Sequence, residues 1–132
     1  MTKKKILIAT GGTGGHIFPA LSLAKNLIKK NYDIILTTDK RGLKYLSDIN
    51  EINLKKITSS PLVKKNIFTL IYSVLLICYS TMKSLFLLYV NRPHIIIGMG
   101  GYSSFPVCIA ATILRIKFII YENNLIIGKA NK

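Results

Sequence analysis

The sequence predicts an α/β domain in which a parallel sheet carries helices on both faces, and three observations support this. Short apolar runs at 6–9, 34–36, 95–97 and 118–121 alternate with stretches of helical periodicity, the pattern of repeated βα units. The runs are apolar at successive positions instead of every second one, as strands buried on both faces are. Two of them, 6–9 and 95–97, lead into glycine-rich loops followed by a proline and an apolar helical stretch.

The first strand is predicted at 5–10. Gly11, Gly12, Gly14 and Gly15 follow, and a helix over 17–30 gathers Ala20, Leu21, Ala24, Leu27 and Ile28 on one side. Pro19 suits the first turn of that helix, where a missing N–H costs nothing. A second strand at 33–38 ends in Asp39, which reads as the cap of a short helix at about 41–48 more readily than as a ribose ligand. Strand 52–57 and a loop lead to a long helix over 67–91, then strand 94–98, helix 105–115 and strand 117–122. The chain, 1–132, makes one domain, large enough to bury a core of its own.

Thr10-Gly11-Gly12-Thr13-Gly14-Gly15-His16 has the chemistry of an anion site. Its glycines admit positive φ and let backbone N–H groups converge, and a helix N-terminus adds a favourable dipole. Ile17 stands where a dinucleotide fingerprint has its third glycine, and the loop ends Gly-Gly-His where a Walker A loop has Gly-Lys-Ser/Thr. Read alone, it is a phosphate cradle or a tight strand-to-helix turn. A second loop, Gly98-Met99-Gly100-Gly101-Tyr102-Ser103-Ser104, precedes Pro106, and a third strand end delivers Glu122, Asn123 and Asn124. Carboxyl ends of parallel strands face one crevice, so the three segments form one constellation.

Nineteen Lys and Arg against five Asp and Glu give a net charge of +14, and half the residues are hydrophobic. Basic and apolar together point to an anionic membrane surface and away from nucleic acid; a lysine-rich composition bias yields the same charge. Cys78 and Cys108 stand in apolar helical stretches without CxxC spacing and read as reduced core residues. The apolar run after Lys3-Lys4-Lys5 is too short for a signal peptide, so the chain is expected to stay inside the cell. With no Asp-x-Asp pair in the sequence, no metal is expected, and no cofactor.

Residues 67–90 are long enough to span a bilayer, with Lys83 as the one charge. Thr69, Ser73, Ser80, Thr81 and Ser84 give the stretch a weaker face, and parallel strands need a crossover helix here. A spanning helix would put the two glycine loops on opposite sides of the membrane. Two readings remain: an ordinary buried crossover, or a helix with one face on the sheet and the other in lipid. In the second, Phe68, Ile71 and Leu75 are the membrane contacts, and Lys64 and Lys65, with Lys55 and Lys56, meet anionic head groups.

The segments Gly11 to Ala20, Gly98 to Pro106, and Tyr121-Glu122-Asn123-Asn124 with Gly128-Lys129-Ala130-Asn131-Lys132 resemble the bacterial MurG family. These are the peptidoglycan N-acetylglucosaminyltransferases that convert lipid I to lipid II. The resemblance runs from Lys5 to Lys132. It implies a Rossmann-like domain, the N-terminal half of a GT-B glycosyltransferase, peripheral on the cytoplasmic face of the inner membrane. It implies UDP-GlcNAc as donor substrate, a lipid-linked acceptor, and a donor-binding domain that lies outside this chain. By the same resemblance, Gly12, Thr13, Gly14, Gly15 and Asn124 line the donor-sugar side, and Gly100, Gly101, Tyr102 and Ser103 lie by the acceptor diphosphate.

An acceptor hydroxyl must attack the anomeric carbon as UDP leaves, so a base is required. His16 is the candidate, as base or as donor-positioning group. Glu122 is the candidate to orient it or to touch sugar. Family members carry a histidine before this glutamate, and Tyr121 stands there instead, a ring that hydrogen-bonds but cannot become cationic. Transfer needs donor and acceptor held together, so the isolated chain is expected to be inactive. The alternatives are a membrane-recruiting subunit that works with a separate donor-domain chain, and a stand-alone phosphate- or nucleotide-binding module.

Overall fold

A computed structural model describes residues 3–46, 52–58 and 66–122. Its strands are β1 Lys5–Ala9, β2 Asp33–Thr38, β3 Asn53–Lys56, β4 Ile95–Gly98 and β5 Phe118–Ile120, and its helices α1 Gly14–Lys29, α2 Lys40–Leu43, α3 Ile67–Asn91 and α4 Ser104–Ile113. The strands form one sheet in the order β3-β2-β1-β4-β5, and every pairing is parallel. The chain runs outward from β1 to β3, crosses back through α3, and continues on the other side from β4. The strand order therefore reverses between β1 and β4, the place where open parallel sheets bind ligands.

The inner strands are apolar all along because both their faces are covered. On one face Ile6, Ile8, Ile34 and Leu36 pack with Ile17, Ala20 and Ala24 of α1. On the other, Leu7, Ala9, Ile35 and Ile96 pack with Leu88 of α3 and Val107, Ala110 and Ala111 of α4. The predicted parallel sheet with helices on both faces is the observed architecture.

Some boundaries differ from the sequence reading, each for a local reason. Helix α1 starts three residues earlier, at Gly14, because Thr13 takes the extended N-cap conformation (φ −101°, ψ 148°). Its carbonyl already accepts the N–H groups of His16 and Ile17, each at 3.0 Å. His16 thus belongs to the first helical turn, and Pro19 sits in the helix interior, where it cannot donate to the carbonyl of Gly15. Helix α2 is a single turn capped as expected by Asp39, whose side chain accepts from the N–H groups of Arg41 and Gly42.

Helix α3 opens with a capping box in which Asn66 and Thr69 bond each other's backbone reciprocally. By length and composition it could cross a membrane, but it joins β3 to β4 of one sheet, which a spanning helix cannot do. Its polarity is inverted. The buried positions are Ser73, Ser80, Ser84 and Leu88, while Phe68, Leu75, Met82 and Phe86 are 80%, 62%, 70% and 72% exposed. The serines tolerate burial because their hydroxyls are spent on the backbone. Ser73 donates to the carbonyl of Thr69 and Ser84 to that of Ser80, and Ser80 donates to the carbonyl of Thr58. Cys78 is exposed on this helix, which corrects its reading as a core residue; it falls on the outward side of the inverted stripe. Cys108 is half-buried in α4, and burial pushes its thiol up to about 11.

Candidate functional site

The carboxyl edge of the sheet carries the site. After β1 the chain runs from Thr10 to the N-cap Thr13, and after β4 from Met99 to Ser103; the two loops lie in backbone contact. Gly11 N–H donates to the carbonyl of Gly100 at 2.8 Å, and Met99 N–H donates to that of Ala9 at 2.7 Å. Ser103 Oγ donates to the carbonyl of Thr10 at 2.6 Å. Gly100 and Gly101 sit at φ 85° and 82°, and a Cβ on Gly101 would stand 2.5 Å from Gly11 Cα. Only glycine allows both the left-handed turn and this approach.

Each glycine of the first loop has a different reason to be there. A Cβ on Gly12 would meet Asp39 Oδ1 at 1.9 Å, so Gly12 is held against the start of α2. At Gly14 it would meet the Phe18 ring at 3.2 Å, whereas at Gly15 it would meet nothing within 4 Å among the described residues. Thr13 is exposed, and its side chain makes no capping hydrogen bond.

His16 is half-buried beside Gly11, with its Cδ2 3.5 Å from where a Gly11 Cβ would stand. Among the described residues its Nδ1 is buried without a hydrogen-bond partner, a condition that costs about 1–3 kcal/mol where no group supplies the bond. Of the predicted acceptor-side residues, Ser103 is buried and its hydroxyl serves the loop-to-loop latch, while Tyr102 is 38% exposed. Tyr121 N–H donates to the carbonyl of Gly98 at 2.7 Å, which fixes where β5 delivers Glu122 to the same edge. Asn124, Lys64 and Lys65 lie outside the described residues. Phe68, Ile71 and Leu75 are all exposed on α3.

Two features of this edge escaped the sequence reading. A cleft of about 460 Å³ lies between α1 and strands β4 and β5, lined by Pro19, Leu23, Met99, Ile119 and Tyr121 among others. A smaller pocket of about 250 Å³ is lined by Asp39, Lys40, Arg41, Lys56 and Thr58. Lys56 sits opposite Thr38 in the β2–β3 register, which brings it to this pocket. Burial pushes the Asp39 carboxyl up, but the Arg41 guanidinium and the N–H groups of Gly42 and Arg41 outweigh it and hold it below its ordinary value.

Comparison with known proteins agrees with this geometry. Residues 6–132 match the glycosyltransferase family 28 N-terminal domain. A Pelagibacter ubique protein named UDP-N-acetylglucosamine–N-acetylmuramyl-(pentapeptide) pyrophosphoryl-undecaprenol N-acetylglucosamine transferase is 39% identical over 129 residues, covering 98% of this chain and 35% of that protein. The protein of the same name from a Wolbachia of Brugia malayi is 41% identical over 127 residues, covering 96% and 35%. Among solved structures, Acinetobacter baumannii MurG superposes with a TM-score of 0.80 at 26% identity, covering 97% of this chain and 38% of that one. The Streptomyces glycosyltransferase SsfS6, at a TM-score of 0.69 and 13% identity, shares the fold. The chain spans about a third of the length of the curated relatives it matches. With that family's domain matched over nearly every residue, the chain belongs to glycosyltransferase family 28, whose N-terminal domain it carries.

Proposed function

We propose that this chain is the acceptor-side domain of an N-acetylglucosaminyltransferase that moves GlcNAc from UDP-GlcNAc to a lipid-linked muramyl-peptide acceptor at the inner-membrane surface. The observation that carries the reading is the pair of glycine loops latched at the strand-order reversal, with the Nδ1 of His16 beside them, unpartnered among the described residues. In this reading Thr13, Gly14 and Gly15 face the donor sugar together with Asn124, and Gly12 holds their loop in place. The backbone of Gly100, Gly101 and Tyr102 faces the acceptor diphosphate, and Ser103 fixes that loop. The acceptor hydroxyl attacks the anomeric carbon, its proton passes to a base for which His16 is the candidate, and the bond to the UDP oxygen breaks as UDP leaves. Glu122 assists from the end of β5. The inverted polarity of α3 supports a peripheral membrane contact through Phe68, Ile71 and Leu75.

Donor binding belongs to a second domain outside these 132 residues, and the chain alone is expected to give no transfer. The test is GlcNAc transfer from UDP-GlcNAc to a lipid I analogue by the complete protein, comparing wild type with His16→Ala and His16→Gln. A base role predicts a loss in kcat of about 10²–10⁴-fold in both variants. A positioning role predicts recovery with glutamine, and activity unchanged in both rejects the site.

A further inference from the structure

We infer that the pocket between α2 and the end of β3 is a second oxyanion subsite of the same crevice, separate from the glycine loops; this rests on the acceptor-side reading above. Lys40, Arg41 and Lys56 place three cations around a space of about 250 Å³. Among the described residues the one carboxylate there is Asp39, already engaged by Arg41 through Nε at 3.2 Å and Nη2 at 2.9 Å. That fork fixes the guanidinium while leaving its side chain 62% exposed, so the remaining N–H groups are held ready without a further loss of rotamer freedom. Lys56 reaches the pocket only because β3 pairs with β2, Thr38 standing opposite it. Among the described lining residues the three cations exceed the carboxylate by two charges, and charge-assisted bonds of this kind select a carboxylate or a phosphate.

The pocket is coupled to the first glycine loop. A Cβ on Gly12 would stand 1.9 Å from Asp39 Oδ1 and 2.8 Å from Arg41 Cβ, so loop and pocket wall touch and an anion bound here lies next to the crevice. The acceptor in the relatives' name carries two kinds of oxyanion, a pyrophosphoryl group and a pentapeptide. A peptide joined to the sugar through its amino end keeps a free terminal carboxylate. One oxyanion faces the glycine loops, and the cationic pocket takes another.

Binding of three probes to the protein tests this: muramyl pentapeptide, its C-terminal carboxamide, and inorganic pyrophosphate. Each is titrated against wild type and the Lys40→Gln/Lys56→Gln double variant, whose two sites are exposed and whose fold is checked by circular dichroism. A carboxylate subsite predicts about tenfold weaker binding of the free peptide in the variant, the scale of lost charge-assisted bonds. The carboxamide would then bind both proteins equally and weakly. A phosphate subsite shows the loss with pyrophosphate instead. Equal binding of every probe by both proteins, or no binding by wild type, overturns the subsite. The transfer assay separates this outcome from the broader reading: transfer with an unchanged acceptor KM in the variant rejects the pocket alone. Anion binding that depends on the two lysines in a protein without transfer rejects the acceptor reading and keeps the site.

Discussion

Helices α1 and α3 pack on opposite faces of one sheet, and they bury opposite kinds of residue. Helix α1 turns Ile17, Ala20 and Ala24 inward, as an amphipathic helix on a sheet does. Helix α3 turns Ser73, Ser80 and Ser84 inward and leaves Phe68, Leu75, Met82 and Phe86 in the open. Folding drives α1 onto the sheet through apolar burial, whereas α3 is held by its C-terminal anchor Leu88, its packing on α4 and hydroxyls that bond the backbone. An apolar stripe that long costs free energy where it faces water, which is the ground for the proposed membrane contact.

Charge insertion breaks the comparison most sharply. Ala24→Asp puts a carboxylate in the core beneath α1 and is expected to cost more than about 3 kcal/mol, measured by urea unfolding. Leu75→Asp on the outer face of α3 is expected to fall within about 0.5 kcal/mol of wild type. A large loss at Leu75 would mean that the stripe is covered by the protein itself.

Next come the glycines. Gly101→Ala meets both a positive φ and the Gly11 backbone, and about 2–4 kcal/mol of stability is expected to go with the latch. Gly15→Ala, in the first turn of α1, meets nothing within 4 Å among the described residues and should gain up to about 1 kcal/mol. If alanine at 15 nevertheless lowers transfer, the glycine there serves the ligand. The smallest effect lies at the helix ends, where α3 stops at Arg92 with φ 44° and the chain after α1 turns at Asn31 with φ 66°. Asparagine tolerates the left-handed region better than arginine. Arg92→Gly should therefore stabilise by about 1 kcal/mol and Asn31→Gly by less, in the same unfolding assay.

The parallel sheet and most strand positions were legible because two-sided burial makes β1, β2 and β4 apolar at successive residues. The start of α1 was not, since Gly14 and Gly15 look like loop until Thr13 is seen closing the first turn. The serine recurrence in α3 was visible, but its inward direction depends on Thr58 and the sheet lying beneath it. The glycine loops announced the crevice. The latch through Ser103 and the cationic pocket did not show, because Thr10 with Ser103, and Arg41 with Lys56, meet only through strand order and register.

The proposal that this domain rests on the membrane through α3 can be tested with one fluorophore. The chain contains no tryptophan, so Leu75→Trp and Phe18→Trp each report a single site, on the exposed faces of α3 and α1. Adding vesicles that contain anionic phospholipid should shift the emission at position 75 to the blue and expose it to quenching by brominated acyl chains. High salt should weaken both effects, and position 18 should change little. Emission at 75 that ignores the vesicles, or shifts no more than that at 18, would contradict the account.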